Sequence, residues 1–258
     1  CSPSATFVEE EVVRWLCDLV GYGEGSFGLF TSGGVMANIM SMNVARDVHL
    51  RRVRGLDGPP RGADLTAARV YVSDQAHFSI KRSLDTLGFP EDTIVKVPAD
   101  ELLRLQAGPV AEAITRDRDA GLTPFAIVAT AGTTNTGAVD VLPDLADLAE
   151  REGLWFHVDA AYGGAAGLSR EFPGILKGIE RADSVTVVTG DKELARSVED
   201  LGARIVDPAD FYRDLVRKPP APDKEDRFTK GEIGDLHDEM LERGDGKPEP
   251  EGVADSIP

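Results

Sequence analysis

The sequence predicts an α/β fold with three layers, in which helices cover both faces of a mostly parallel sheet. The first observation is that short apolar runs alternate with segments of helical periodicity between residues 69 and 188, a pattern typical of β-α-β units. The second is that a run such as 125–129 is apolar throughout, as expected for a strand buried on both faces. The third is size, because 258 residues that are 41% hydrophobic can bury a substantial core.

Two helices and a glycine-rich turn are predicted at the start of the chain. Apolar residues at helical spacing predict a helix over residues 7–20, and its early acidic residues lie where the helix dipole favours negative charge. The turn at residues 31–34 leads into a helix expected over residues 35–50. Residues 55–67, rich in glycine, proline and aspartate, predict a loop.

Strands and helices alternate through the next part of the chain. Strands are predicted over residues 69–73, 93–97, 125–129, 154–158 and 185–188. Helices are predicted over residues 77–87, 109–119 and 140–152. Catalytic loops of parallel sheets lie at the carboxyl ends of the strands. His77, Thr133 and Asp159 all follow or end predicted strands at that edge, which makes them candidate site residues.

Composition argues against several classes of function. The net charge of −17 would repel nucleic acid, although backbone amides can still hold an anionic cofactor. Cys1 and Cys17 provide neither a disulfide framework nor the spacing of a metal site, and we expect Cys17 in the core. Because no long apolar run and no signal peptide is visible, we expect no membrane span and a cytoplasmic location.

The turn Thr31-Ser32-Gly33-Gly34-Val35 has two interpretations. Free backbone amides at the start of the following helix suit a phosphate group, since they donate hydrogen bonds at the positive end of the helix dipole. The same residues also suit an ordinary turn between a strand and a helix.

His77 and Thr133 are open to structural and functional interpretations. His77 lies at a predicted helix start, where it can stack on a ring, shuttle a proton or cap the helix. Thr133 lies in the polar loop 131–137 after a strand, where its hydroxyl can contact a cofactor or satisfy amides of the turn.

Asp159 is the strongest single candidate. It follows a largely apolar run, so its carboxylate is expected to be partly desolvated and to need a cationic partner. The protonated pyridine nitrogen of pyridoxal phosphate is such a partner, and small residues and glycines after Asp159 leave room for a flat ring. The alternatives are an aspartate that caps the next turn, or a metal ligand shared with His157.

Four motifs in register carry a resemblance to a known family. They are Thr31-Ser32-Gly33-Gly34 with Ala37-Asn38, Ala76-His77-Phe78-Ser79, Ala131-Gly132-Thr133-Thr134 with Gly137-Ala138 and Asp140, and His157-Val158-Asp159-Ala160-Ala161-Tyr162-Gly163-Gly164. Over residues 1–184 the chain resembles the group II pyridoxal phosphate-dependent amino-acid decarboxylases, which include the glutamate and aromatic amino-acid decarboxylases. The resemblance implies part of the large domain of a type I pyridoxal phosphate fold, a homodimer with its site at the interface, and an L-amino-acid substrate.

The resemblance also implies roles around the cofactor ring. His77 would stack on the ring and assist protonation. Asp159 would pair with the pyridine nitrogen, and Ala161 would pack on the opposite face of the ring. Thr133 would line the site.

The phosphate would be held by the amides around Gly33, Gly34 and Val35. The family often carries Thr or Ser followed by Glu where this chain has Val35 and Met36. A phosphate-binding hydroxyl is therefore missing, but the backbone amides remain.

The family lysine that holds the cofactor as a Schiff base has no clear counterpart. After Thr186 the family continues through a short Asp-Pro-His-Lys segment, whereas this chain reads Val187-Val188-Thr189-Gly190-Asp191-Lys192. Lys192 falls one residue later than the family lysine and also fits an exposed first-turn position of a helix. We therefore expect impaired decarboxylation, or a non-catalytic remnant.

A second resemblance begins where the first ends. Residues 185–216 resemble the second half of an NYN/PIN-like ribonuclease domain, in which Asp191 would match one acidic metal ligand. An RNA-binding or metal-dependent ribonuclease fragment is the alternative function, although two-metal chemistry needs several clustered carboxylates. Residues 217–258 are acidic and poor in apolar residues, which predicts a largely disordered tail.

Overall fold

One parallel sheet organises the part of the chain that the computed structural model describes, residues 3–168 and 174–187. Its strands are β1 (Ala68–Ser73), β2 (Ile94–Val97), β3 (Thr123–Thr130), β4 (Trp155–Ala160) and β5 (Ser184–Val187). They pair in the order β2-β1-β3-β4-β5, and every pairing is parallel. The α/β prediction is therefore confirmed, and all described residues belong to one compact unit.

Seven α-helices accompany these strands within the described residues. They are α1 (Pro3–Val20), α2 (Gly34–Val44), α3 (Arg51–Val53), α4 (Ala63–Thr66), α5 (Phe78–Thr86), α6 (Ala107–Asp119) and α7 (Leu142–Glu152). Short 3₁₀ turns lie at Glu91–Thr93, Gly164–Leu168 and Ile179–Arg181. None of the described helices combines the length and apolar character that crossing a bilayer requires.

Two apolar cores lie on opposite faces of the sheet. On one face, α2 and α5 pack through Met42, Ile80 and Leu84 against β1 and β3. On the other face, α6 and α7 pack through residues such as Ile114 and Leu145 against the same strands and β4. Successive strand residues point to opposite faces, so Val128 joins the first core and Ala129 the second. This arrangement is the three-layer architecture that the sequence predicts.

The structure differs from the predicted elements in two places. The helix expected over residues 35–50 changes from α-helix to π-helix at Ala45–Leu50 and then continues as α3. A π segment is an insertion into a regular helix, and apolar periodicity does not reveal it. The loop expected over residues 55–67 contains the single turn α4, which buries Leu65 in the first core.

Helix α1 is less buried than its apolar periodicity indicates. Phe7 and Trp15 are 68% and 60% exposed, and Cys17 is half-buried instead of in the core. Val20, at the end of the helix, joins the second core. An amphipathic pattern shows that a face is apolar, but it does not show what covers that face.

The strand order determines where a site can form. β2 and β3 lie on opposite sides of β1, so the chain reverses direction across the sheet between β1 and β3. In open α/β sheets, ligands bind in the crevice outside the carboxyl ends of the strands at such a switch point. The segments after β1 and β3 and the end of β4 therefore border the candidate site.

Candidate active site

Helix α2 begins beside this edge of the sheet with free backbone amides. Its N-cap residue, Gly33, has φ 146° and ψ 173°, in the region that favours glycine. The first intrahelical bond runs from the amide of Ala37 to the carbonyl of Gly33. The preceding amides of Gly34 and Val35 therefore have no acceptor within the helix and point out of its positive end.

His77 is the N-cap residue of α5. Its Nδ1 accepts a hydrogen bond from the backbone N–H of Ser79 at 3.3 Å, which confirms the capping interpretation. Its ring lies 4.1 Å from the ring of Phe78, centroid to centroid. The cap uses only the Nδ1 edge, so Nε2 remains available to another partner.

Asp159 is buried at the carboxyl end of β4. It is 5% exposed, although it lies one residue before the end of the strand. Oδ1 accepts the backbone N–H of Ala161 at 3.1 Å, and Oδ2 accepts Nδ2–H of Asn38 at 2.9 Å. Both donors are neutral, and no cation among the described residues forms an ion pair with this carboxylate.

Asn38 connects the candidate residues to one another. It is 1% exposed, on the buried side of α2, and its Nδ2 donates to Ser79 Oγ as well as to Asp159, both at 2.9 Å. Because Ser79 also donates to His77, the Asn38 amide links the α5 cap to the carboxylate. The sequence carried a signal for this residue, since it is a polar position one turn before the buried Met42 in a mostly apolar helix.

His157 lies two residues before Asp159 on the same face of β4. Its Nε2 lies 3.1 Å from Asn38 Oδ1. Its Nδ1 lies 2.9 Å from the hydroxyl Oγ and 3.1 Å from the backbone carbonyl oxygen of Ser184 on β5. Burial lowers the pKa of His157 to about 4 and outweighs the opposing charge of Asp159. The imidazole is therefore neutral near pH 7.

The loop after β3 is held by its own hydrogen bonds. Thr133 is buried, and its Oγ1 lies 2.6 Å from Thr136 Oγ1 and accepts the backbone N–H of Ala138 at 3.2 Å. The turn-satisfying interpretation of this hydroxyl is therefore confirmed. Asp140 then closes the loop by accepting the backbone N–H groups of Leu105 and Thr130, each at 2.7 Å, and burial raises its pKa to about 6.

Gly163 joins the loop after β4 to the loop after β3. Its backbone N–H donates to the carbonyl of Ala131 at 2.9 Å. A Cβ at this position would lie 2.3 Å from that carbonyl oxygen, a separation that no side chain can adopt. Glycine is therefore required for the two loops to meet beside Asp159 and Ala161.

The residues present fit a pyridoxal phosphate group. A buried carboxylate with only neutral donors suits a protonated heterocycle, because a buried charge is stable only when it is paired. Thr186, the register partner of Asp159 on β5, is 1% exposed, and its Oγ1 has no hydrogen-bond partner among the described residues. The free amides of α2 supply the anion-binding end.

The segment in which the family carries its Schiff-base lysine lies outside the described residues. The structure describes nothing from residue 188 onward, which includes Asp191, Lys192, the remainder of the segment 185–216 and the tail 217–258. Within the described part, the lysines are Lys81, Lys96 and Lys177, and none of them forms a hydrogen bond with His77 or Asp159. β5 runs across the boundary predicted between residues 184 and 185 and pairs with β4.

Comparison with protein families matches residues 1–199 to the pyridoxal-dependent decarboxylase conserved domain. The chain belongs to this decarboxylase family. The family is pyridoxal-dependent, which agrees with the cofactor predicted from Asp159, and the match extends past residue 184.

Characterised decarboxylases resemble the same part of the chain. An aromatic-L-amino-acid decarboxylase of Bacillus atrophaeus is 42% identical over 180 residues, which are 70% of this chain and 35% of that protein. An L-2,4-diaminobutyrate decarboxylase of Acinetobacter baumannii is 34% identical, over 72% of this chain and 38% of that protein. The chain thus spans about a third of the length of these relatives.

Solved decarboxylase structures share the fold. The crystal structure of mouse CSAD matches with a TM-score of 0.65 and 39% identity, over 72% of this chain and 38% of that chain. The structure of Oryza sativa TDC with PLP and tryptamine matches with a TM-score of 0.63 and 33% identity, over 72% of this chain and 41% of that chain. The described sheet therefore corresponds to part of a type I pyridoxal phosphate fold.

Proposed function

We propose that this decarboxylase-family chain binds pyridoxal phosphate at the carboxyl edge of its sheet, and that the reaction served by this site is the decarboxylation of an L-amino acid. The observation that carries the proposal is Asp159, a 5% exposed carboxylate at the edge where the strand order reverses. Among the described residues, its hydrogen-bond donors are both neutral. The solved rice relative, which is named as holding PLP and tryptamine, supports the choice of cofactor.

The ends of the cofactor would be held by different elements. The amides of Gly34 and Val35, after the Gly33 cap, would bind the phosphate, since a helix N-terminus favours an anion. Asp159 would accept the N–H of the protonated pyridine nitrogen in a charge-assisted hydrogen bond. Thr133 would line the site through its loop, without using a hydroxyl that is already bonded within the turn.

The faces of the ring would be bordered by His77 and Ala161. His77 would stack on one face, with Nε2 free to carry a proton toward the reacting carbon while Nδ1 stays bonded to Ser79. Ala161 would pack on the opposite face, where its small side chain leaves room for a flat ring. When bound, the cofactor supplies an electron-accepting ring that takes up the electron pair released as carbon dioxide leaves.

We further propose that turnover by this chain is impaired. Lys192 is one residue out of register with the family lysine, and the proline and histidine that precede that lysine are absent. Binding would then depend on the phosphate, ring-nitrogen and stacking contacts alone. The substrate class is an L-amino acid, because the relatives are named for aromatic, acidic and diamino substrates alike.

Titration of the chain with pyridoxal phosphate tests this function. We expect saturable binding of one equivalent per chain, with pyridoxal binding at least about tenfold more weakly because it lacks the phosphate that the α2 amides hold. After borohydride reduction, peptide mapping should find no pyridoxyl-lysine. Absence of saturable binding would overturn the cofactor assignment, and a pyridoxyl group on Lys192 would overturn the proposed impairment.

We propose a homodimer as the assembly. Along the outer side of α2 and the π segment, Met36, Met40, Val44 and Val48 form an apolar stripe with exposures of 44%, 38%, 42% and 58%. Contiguous uncovered apolar surface of this kind marks an interaction site.

The cytoplasmic location of the protein stays a prediction.

Sedimentation equilibrium tests the dimer with one variant on the stripe and one elsewhere. Met40→Lys is expected to shift the chain to monomer, because a charged side chain is costly in a buried apolar interface. Leu102→Lys, at an exposed residue of the loop between β2 and α6, should leave the mass unchanged. A monomeric unsubstituted chain, or equal masses for both variants, would contradict the proposal.

A further inference from the structure

A continuous run of buried and half-buried hydrogen bonds leads from the first residue of β4 to Asp159. It connects Trp155, Ser184, His157, Asn38 and Asp159 through contacts of 2.9, 2.9, 3.1 and 2.9 Å. The members come from β4, β5 and α2, so no segment of sequence contains the run. Only Trp155 and Ser184 are partly exposed.

The carboxylate end of this run determines its direction. An ionised carboxylate only accepts hydrogen bonds, so the Asn38 amide must present its N–H₂ group to Asp159. Its Oδ1 then faces His157 and can only accept, which requires a proton on His157 Nε2. At the other end, the indole of Trp155 can only donate, so Ser184 Oγ accepts from it.

His157 joins the two halves. Because its imidazole is neutral near pH 7, a proton on Nε2 leaves Nδ1 as an acceptor, and the hydroxyl of Ser184 donates to it. The carbonyl oxygen of Ser184 also lies 3.1 Å from Nδ1, and because it only accepts, it favours the competing tautomer with the proton on Nδ1. With the proton on Nε2, every bond from Trp155 to Asp159 points toward the carboxylate. Hydrogen bonds aligned in this way polarise one another, so each strengthens the next in a low-dielectric interior.

We propose that Asn38 and His157 are positioning residues that hold Asp159 as an ionised acceptor aimed at the cofactor ring, through a hydrogen-bond relay that begins at Trp155. This inference rests on the proposed function. Donors to a carboxylate favour its charged form. The relay thereby keeps the shared proton on the ring nitrogen, where it makes the ring an electron acceptor. The opposite polarity would require a proton on Asp159 and the Nδ1–H tautomer of His157.

The tautomer of His157 tests the relay without any cofactor. In the ¹⁵N-histidine-labelled chain, long-range ¹H–¹⁵N spectra should show a protonated Nε2 and an unprotonated Nδ1 for this residue at neutral pH. The chain contains four histidines, so His157→Gln assigns the signal. An Nδ1–H tautomer or a doubly protonated ring would overturn the relay, whether or not pyridoxal phosphate binds.

A second experiment measures the effect on the cofactor. With pyridoxal phosphate labelled with ¹⁵N at the ring nitrogen, Asn38→Leu should move the bound ring-nitrogen resonance toward its unprotonated position. Trp155→Phe should move it in the same direction by a smaller amount, although it does not touch Asp159. Trp15→Phe is the matched control, since this exposed indole donates only to Glu11 among the described residues and should cause no shift.

The outcomes separate the relay from a structural role and from the cofactor assignment. Variants that lower binding but leave the resonance at the position of the unsubstituted chain would overturn the positioning role. Equal shifts in Trp155→Phe and Trp15→Phe would do the same. If the unsubstituted chain binds no pyridoxal phosphate, the proposed function fails, and the tautomer spectrum still decides the polarity of the relay.

Discussion

Asp159→Asn is expected to weaken pyridoxal phosphate binding by about 100-fold, equivalent to about 3 kcal/mol, because breaking a buried ion pair leaves a charge without its partner. The single carbonyl oxygen of asparagine would have to serve the backbone N–H of Ala161, the amide of Asn38 and the ring nitrogen together. The amide nitrogen of the asparagine would be a hydrogen-bond donor placed against groups that are themselves donors. The loss therefore combines a missing charge with an unsatisfied hydrogen bond.

An absorbance titration of the folded variant measures this loss. The matched control is Asp119→Asn, since Asp119 is an exposed aspartate at the last position of α6. We expect the control to bind with unchanged affinity. Equal dissociation constants for the two variants would show that the carboxylate of Asp159 does not contact the cofactor.

Gly163→Ala is expected to lower the free energy of unfolding by about 3 kcal/mol, toward the upper range for overpacking substitutions. The new Cβ would lie 2.3 Å from the oxygen and 2.8 Å from the carbon of the Ala131 carbonyl. Both contacts are with backbone, so no side chain can rotate away. The two loops would have to separate and break the hydrogen bond between Gly163 and Ala131.

Urea denaturation compares this variant with Gly108→Ala. Gly108 lies in the first turn of α6, and a Cβ there would meet no atom within 4 Å. Alanine should stabilise the chain at this position by roughly 0.5 kcal/mol, because glycine loses more backbone entropy in a helix. Destabilisation of similar size in both variants would mean that the loop contact is not the cause.

The sequence predicted the class of fold because the pattern of apolar residues reports burial directly. Residues 125–129 are apolar without interruption and form the centre of β3, a strand with neighbours on both sides. Periodicity also placed α5 correctly, with His77 at its start. It did not identify the π segment, because a π turn changes hydrogen bonding without interrupting the run of helical residues.

The sequence predicted the burial of one candidate residue, Asp159, but not the hydrogen bonds of another, Thr133. Asp159 was expected to be desolvated, and its 5% exposure confirms this. A carboxylate that follows directly on a buried apolar run lies in the interior with that run. The hydroxyl of Thr133 was open to two uses, and only the loop geometry shows that it bonds within the turn. The proposed roles of both residues around a cofactor stay predictions.

The sequence by itself determined that this chain has a parallel sheet, belongs to a pyridoxal-dependent family and carries a desolvated carboxylate after an apolar run, because each of these properties depends on the local order and spacing of residues. Only the tertiary structure decided which groups surround that carboxylate. Asn38 and Asp159 are 121 positions apart, and Trp155 is connected to His157 through Ser184 on a neighbouring strand. Hydrogen bonds between distant segments depend on the register and packing of the sheet, which no local pattern encodes.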